Sequence, residues 1–194
     1  MRVQGICDDV VTEWSEIVSF TTDEITLVTQ TVALSAGWNW WAPTVETSVN
    51  DLETALGTNG ILILSQSSGY CRYESGSWNG TLSSLVLGEM YKIQTSDACN
   101  CTLSGGSLPS VTITIVPGYT WFGYTGTQPL SVQNLDITPA NGDKINSLNE
   151  GYAIYENGAW SGTLNELQPG HGYIYMSNAT TNKELIFTLG ENKR

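Results

Sequence analysis

Apolar and polar residues alternate over short runs along most of this chain, and each run stops at a glycine or a polar cluster. A period of two is the signature of a half-buried strand. It predicts strands over Arg2–Cys7 and Ile17–Thr22, with Asp8 and Asp9 opening a loop between them. Further on, strands end in turns at Gly37 and Gly118, and each turn leads into an aromatic strand. Strands follow at Ile61–Ser65 and at Lys144–Leu148. Glu74-Ser-Gly76-Ser and Glu156-Asn157-Gly158-Ala read as hairpin turns, Asn-Gly being a strong hairpin dipeptide. A strand after Gly88 or Gly170 runs through Tyr91 or Tyr173, and Thr102–Leu103 and Leu185–Leu189 close the pattern. Only Val49–Leu56 has a helical look, with Ser48 placed to cap it and Gly57 to stop it. The corresponding segment after Ser131 meets Pro139 and is predicted to be shorter. No apolar run approaches the roughly 18 residues of a membrane-spanning helix.

The elements recur in the same order because the main body is a duplication. Residues 60–94 align with 142–176 at an offset of 82, with fifteen of 35 positions identical and no gap. Leu34–Trp41 faces Ile115–Phe122 at an offset of 81, and Ser48–Leu52 faces Ser131–Leu135 at 83. The repeats therefore run over 31–107 and 111–190. The short joint Gly105–Ser110 implies that they touch. The predicted fold class is all-β: two similar β-rich units, sandwich- or barrel-like, with at most one short helix each, after an N-terminal hairpin.

Composition narrows the function. Seven Lys and Arg against 19 Asp and Glu give a formal charge of −12. Such a chain has few cations with which to neutralise phosphates, and an anionic membrane would repel it. No nucleic-acid partner and no membrane insertion are expected. The four cysteines, Cys7, Cys71, Cys99 and Cys101, contain no C-x-x-C pair, and the single His171 is remote from them. A zinc site is not expected. At offset 82, Cys71, Cys99 and Cys101 face Ala153, Thr181 and Lys183, so all three are missing together from the second unit. A bridge from Cys71 to Cys99 or Cys101 would produce that joint absence, while free thiols are the other reading. Cys99 and Cys101 point the same way along a strand and are poorly placed to bridge each other. Met1 leads straight into strand pattern with no signal peptide, so the chain reads as cut from a longer protein.

Two resemblances give context. Val3, Cys7, Glu13, Trp14, Ser15, Phe20 and Thr22 resemble the last two strands of a bacterial fibronectin type III domain, making residues 1–22 a remnant of one. The order G-W-N-W, G-D-x-I and Y-x-x-G-x-W-x-G-x-L-x-x-L-x-x-G-x-x-Y over residues 31–190 resembles a repeat of large, secreted, multi-domain proteins of Gram-negative bacteria. Unit two carries Gly142-Asp143-Lys144-Ile145, whereas unit one departs with Gly60-Ile61-Leu62-Ile63. The resemblance implies a secreted or cell-surface location, on the extracellular side, beside other domains of a parent protein. It implies no activity.

Candidate ligand contacts are the aromatics that recur in both units. Trp38 and Trp40 lie two apart on one strand face, while Trp41 takes the other, so some ring is expected at the surface or at the joint. Trp78 and Trp160 follow the hairpin turns beside Glu74, Asn79, Glu156 and Asn157. An exposed indole there would stack on a sugar ring, whose hydroxyls amides and carboxylates would bond. Otherwise each Trp folds back against its own sheet. Catalysis is not expected: His171 lies between two glycines, and Glu74 and Glu156 are a whole unit apart. Asp8, Asp9, Asp136 and Asp143 form no calcium loop and read as solvated turn residues. No metal or cofactor is expected.

The sequence thus predicts a non-catalytic module that binds a glycan or a host or matrix surface, or else a structural spacer or terminal cap. A binder should leave at least one repeated aromatic exposed beside polar side chains. A spacer should bury them all.

Overall fold

The computed structural model describes residues 6–7, 10–11 and 27–188. In the first stretch β1 (Ile6–Cys7) pairs antiparallel with β2 (Val10–Val11). Asp8, Asp9 and the other fibronectin-like positions, Val3, Glu13, Trp14, Ser15, Phe20 and Thr22, lie outside the described residues.

Unit one comprises β3 (Leu27–Leu34), β4 (Gly37–Trp41), α1 (Val49–Leu56), β5 (Gly60–Ser65), β6 (Tyr70–Glu74), β7 (Ser77–Gly80), β8 (Tyr91–Thr95) and β9 (Cys99–Gly106). Unit two comprises β10 (Ser110–Ile115), β11 (Gly118–Gly123), β12 (Leu130–Ser131), β13 (Lys144–Asn146), β14 (Tyr152–Glu156), β15 (Ala159–Gly162), β16 (Glu166–Leu167), β17 (Gly172–Ser177) and β18 (Lys183–Thr188). In each, a five-stranded antiparallel sheet packs on a two-stranded ribbon. The sheet orders are β4-β8-β5-β6-β7 and β11-β17-β13-β14-β15, and the ribbons are β3–β9 and β10–β18. The units are therefore layered all-β structures, and neither sheet closes into a barrel.

Local chemistry explains the elements. α1 starts in a capping box: Asp51 N donates to Ser48 Oγ at 3.1 Å, and Ser48 N donates to Asp51 Oδ2 at 3.2 Å. Two of the orphan donors at the helix start are thereby satisfied. Its buried stripe is Val49, Leu52 and Leu56. Unit two has only a 3-10 turn at Val132–Asn134 in that place. Both hairpins turn through positive φ at two successive residues, Ser75 and Gly76 (54° and 87°) and Asn157 and Gly158 (55° and 87°). That is the type I′ turn, whose twist matches the flanking strands.

The core of unit one joins ribbon residues Val32 and Leu103 to Leu52 of the helix and to Trp41, Ile63 and Tyr91 of the sheet. The core of unit two places Ile113, Phe122, Ile145, Tyr173, Tyr175 and Phe187 in the matching layers. Truncating any of these large rings to alanine would cost about 3–5 kcal/mol.

The joint between units is pseudo-twofold symmetric. Ala42 N donates to Gly170 O at 2.9 Å, and Gly123 N donates to Gly88 O at 2.8 Å. Ala42 and Gly123 occupy equivalent places, as do Gly88 and Gly170. A Cβ on Gly88 would sit 2.8 Å from Ile113 Cγ1 of the other unit, and one on Gly170 would sit 2.5 Å from Val32 Cγ2. The open edge of β11 is covered by Gln66 of unit one, which donates to Tyr119 O at 3.0 Å and accepts from Trp121 N at 2.7 Å. One amide side chain thus stands in for a missing strand, which blunts an edge that could otherwise pair with another chain.

Candidate binding site

Directly opposed residues on neighbouring antiparallel strands share a face of the sheet. On the outward face of sheet one, the register lines up Trp38, Gln94, Leu62, Arg72 and Asn79 in one row. Trp40, Lys92, Leu64 and Tyr70 form the next. Sheet two repeats the plan with Tyr119, Met176, Lys144, Ile154 and Ser161, and then Trp121, Ile174, Asn146 and Tyr152. The intervening residues point inward, and Trp41 and Phe122 are buried. Each sheet therefore shows three aromatic rings outward at matching positions. Trp38 is 45% exposed, Tyr119 58%, Tyr70 46% and Tyr152 43%. Trp40 and Trp121 are half-buried where the two faces meet. Lys92 lies between them, its Nζ 5.3 Å from the Trp40 ring centroid and 4.1 Å from that of Trp121. Burial there holds the Lys92 ammonium below its ordinary pKa. On sheet two, Lys144 Nζ lies 4.3 Å from the Tyr152 ring. Such contacts hold cation and ring together by about 0.5–2 kcal/mol.

The two hairpin tryptophans are placed differently. Trp160 is 7% exposed and packs against Tyr155 and Tyr175, at centroid distances of 5.4 and 6.1 Å. It offers no free indole face to a sugar ring, which corrects that expectation. Its backbone is clasped by Gln133, which donates to Trp160 O at 2.7 Å. Trp78 is half-buried, packs edge-on to Tyr73 at 5.5 Å, and lies over Gly60, where a Cβ would come within 2.4 Å of its ring. Both therefore fold back onto their own unit, because the inward parity of β7 and β15 sends them there. Glu74, Asn79, Glu156 and Asn157 are exposed around the hairpins. Glu74 pairs with Arg72 at 3.3 Å. A shallow recess of about 340 Å³ over this hairpin is lined by Tyr70, Arg72, Glu74 and Asn79.

Two equivalent grooves flank the joint, and they differ in size. One, of about 550 Å³, lies between Gln66, Glu89, Thr114, Tyr119 and Trp121. Its symmetry mate holds about 140 Å³, with Leu148 in the place of Gln66 and His171 in that of Glu89. His171 Nδ1 lies 3.2 Å from Glu150 Oε1 there. The His171 backbone meets that of Trp41 of unit one in an isolated antiparallel bridge across the joint.

Cys71, Cys99 and Cys101 are free thiols, the alternative to a bridge from Cys71 to Cys99 or Cys101. Cys71 sits on the inner face of the sheet with its Sγ 3.5 Å from Leu82 O, while Cys99 and Cys101 belong to the ribbon. Burial pushes the Cys71 thiol up to about 11 and that of Cys101 up to about 12, and it raises Cys99 as well. The thiolate is the reactive form, so access decides the order of reaction. Maleimide labelling of the folded chain should reach half-buried Cys99 first, with Cys71 and Cys101 reacting only on unfolding. Equal rates for the three, followed by mass spectrometry, would contradict this placement.

Asp143, expected as a solvated turn residue, is fully buried. It accepts from Tyr175 Oη at 2.6 Å, Asn178 N at 2.7 Å and Ala140 N at 2.8 Å, and it pairs with Lys183 Nζ. Burial alone would raise this carboxyl. The four donors, led by Lys183, outweigh it and hold the carboxyl below its ordinary value. The ribbon registers show what stands in place of this network in unit one. Leu34 pairs with Cys99 as Ile115 pairs with Lys183, so Cys99 occupies the place of Lys183 and Cys101 that of Leu185. The offset at this strand is thus 84, where the sequence pattern suggests 82. Asp143, Tyr175 and Lys183 are matched in unit one by Ile61, Ile93 and Cys99, a change of three partners together.

Among the described residues no cluster of three or more His, Cys, Asp or Glu side chains is arranged to hold a metal ion. No helix there is long and apolar enough to cross a membrane. Compared with protein-family models, with curated proteins and with solved structures, the chain matches none.

Proposed function

We propose that this chain is a non-catalytic binding module of a secreted or cell-surface multi-domain bacterial protein, and that it takes a glycan on its outward aromatic faces. One observation carries the reading. The repeated aromatics left exposed, Trp38 with Tyr119 and Tyr70 with Tyr152, all stand on the outward face of their sheet at equivalent register. A two-layer unit has no need of rings on that face for its own core. Sugars present C–H faces that pack on such rings, while the neighbouring Gln94, Asn79, Asn146 and Ser161 supply hydrogen bonds to hydroxyls. Two copies of the face on one chain gain avidity on a repetitive polymer.

A structural spacer is the second reading. The reciprocal joint favours it, since backbone hydrogen bonds and glycine contacts couple the units into one block. A glycan-array screen of the full chain beside the Tyr70→Ala/Tyr152→Ala variant separates the two. Binding that falls at least tenfold in the variant, with an unchanged near-ultraviolet circular dichroism spectrum, is the expected result. A wild-type chain that binds no glycan at high concentration would leave the spacer.

A further inference from the structure

The cations of this acidic chain are not spread evenly. The described residues contain four, Arg72, Lys92, Lys144 and Lys183. Lys183 is committed to buried Asp143. The other three all lie on the outward aromatic faces, Arg72 and Lys92 on sheet one and Lys144 on sheet two. The rows that hold them carry no carboxylate. Glu74 and Glu156 stand at the hairpin ends of those faces, with Glu74 paired to Arg72, while Glu89 and Glu150 line the grooves at the joint beside Trp121 and Trp40. Each lysine is also held against a ring by the contacts described above. A chain with a formal charge of −12 has therefore gathered its described cations other than Lys183 among the rings of one kind of surface.

We propose that the outward faces bind an acidic polysaccharide, stacking its sugar rings on Tyr70, Tyr152, Trp38 and Tyr119 and pairing its carboxylate or sulfate groups with Arg72, Lys92 and Lys144. This rests on the glycan reading and narrows it to a charge class. The net negative charge does not oppose it. At physiological ionic strength the Debye length is about 8 Å, so carboxylates on distant loops are screened, whereas an anionic group in contact with Lys144 or Arg72 is not. Rings and cations also do different work. Stacking supplies contact area along the polymer, and the charges choose acidic over neutral chains.

Affinity electrophoresis of the full chain at 150 mM salt tests the inference with three probes: polygalacturonate for carboxylates, dextran sulfate for sulfates, and uncharged dextran. Retardation by one or both acidic polymers, and not by dextran, is expected. Removing each cation singly, as Arg72→Met, Lys92→Met or Lys144→Met, should weaken retardation by about 3–5-fold, the scale of an exposed charge contact. Lys144→Arg should retain it. Near-ultraviolet circular dichroism shows whether each variant is folded. Equal retardation by dextran, unchanged in the three methionine variants, would overturn the acidic class and leave the glycan reading standing. Retardation by none of the three, with a glycan array also blank, would overturn both. Retardation by the acidic polymers that survives in Tyr70→Ala/Tyr152→Ala would overturn the stacking role.

Discussion

Replacing Lys183 by methionine is expected to destabilise the chain by about 3–5 kcal/mol, because it leaves the buried Asp143 carboxylate without its counter-charge. For a chain of this size that corresponds to a fall in Tm of on the order of 10 °C. The effect should depend on pH, with a sign fixed by the carboxyl. In the native chain the Asp143 carboxyl lies below its ordinary value, so it contributes stability that is present above the unfolded value, about 3.9, and lost as pH falls through the folded one. Without the ammonium, burial dominates and pushes the carboxyl up. The variant is then penalised at neutral pH and relieved on acidification, so the gap between wild type and Lys183→Met should narrow towards pH 4. Unit one supplies the control. Installing its residues together, as Asp143→Ile/Tyr175→Ile/Lys183→Cys, should recover part of the loss: no charge is then buried without a partner, but the smaller side chains leave space where the Tyr175 ring packs on Phe122 and Trp160. Thermal melts from pH 4 to 8 check all three statements. A triple variant as unstable as Lys183→Met would show that packing, not the uncompensated charge, governs this site.

The same residues show what the sequence could and could not reveal. Strand positions in the two units, the hairpin turns and the capped helix were legible because each depends on local chemistry: alternation, Asn-Gly at a turn, Ser48 ahead of Val49–Leu56 and Gly57 after it. The duplication was legible from identities alone. The aromatic parity of Trp38, Trp40 and Trp41 was legible too, since side chains alternate along any strand. Four things were not. The burial of Trp160 follows from the inward parity of β15, and polar neighbours in sequence say nothing about which face a residue takes. The role of Asp143 follows from partners 32 and 40 positions away, Tyr175 and Lys183. Only their joint replacement in unit one hints at it, and reading that hint needs the true offset of the last strand. The choice between a bridge and free thiols was hidden for a related reason. Cys99 stands at the place of Lys183 in the polar network, whereas Cys71 and Cys101 stand at the places of apolar Ala153 and Leu185. The cation pattern was hidden likewise: Arg72, Lys92 and Lys144 are scattered in sequence and meet the rings only through register.

The joint makes a last demand on particular residues. Gly170→Ala and Gly88→Ala are each expected to destabilise the chain by about 2–5 kcal/mol. Both glycines sit at positive φ, 77° and 89°, where an L side chain is strained by about 1–2 kcal/mol. Each also faces the other unit's ribbon at a distance no Cβ can keep without displacing it, which adds an overpacking cost of about 1–3 kcal/mol. Gly76→Ala separates the two contributions. Its φ is 87°, but no atom lies within 4 Å of the added Cβ, so it should cost only the backbone strain. The joint also predicts how the chain melts. Two units held by reciprocal backbone hydrogen bonds should unfold together, giving one calorimetric transition. In Gly88→Ala/Gly170→Ala the coupling is damaged from both sides, and the transition should broaden or split as the units melt separately. If Gly170→Ala costs no more than Gly76→Ala, the neighbouring ribbon yields to the added Cβ and the overpacking contribution is absent.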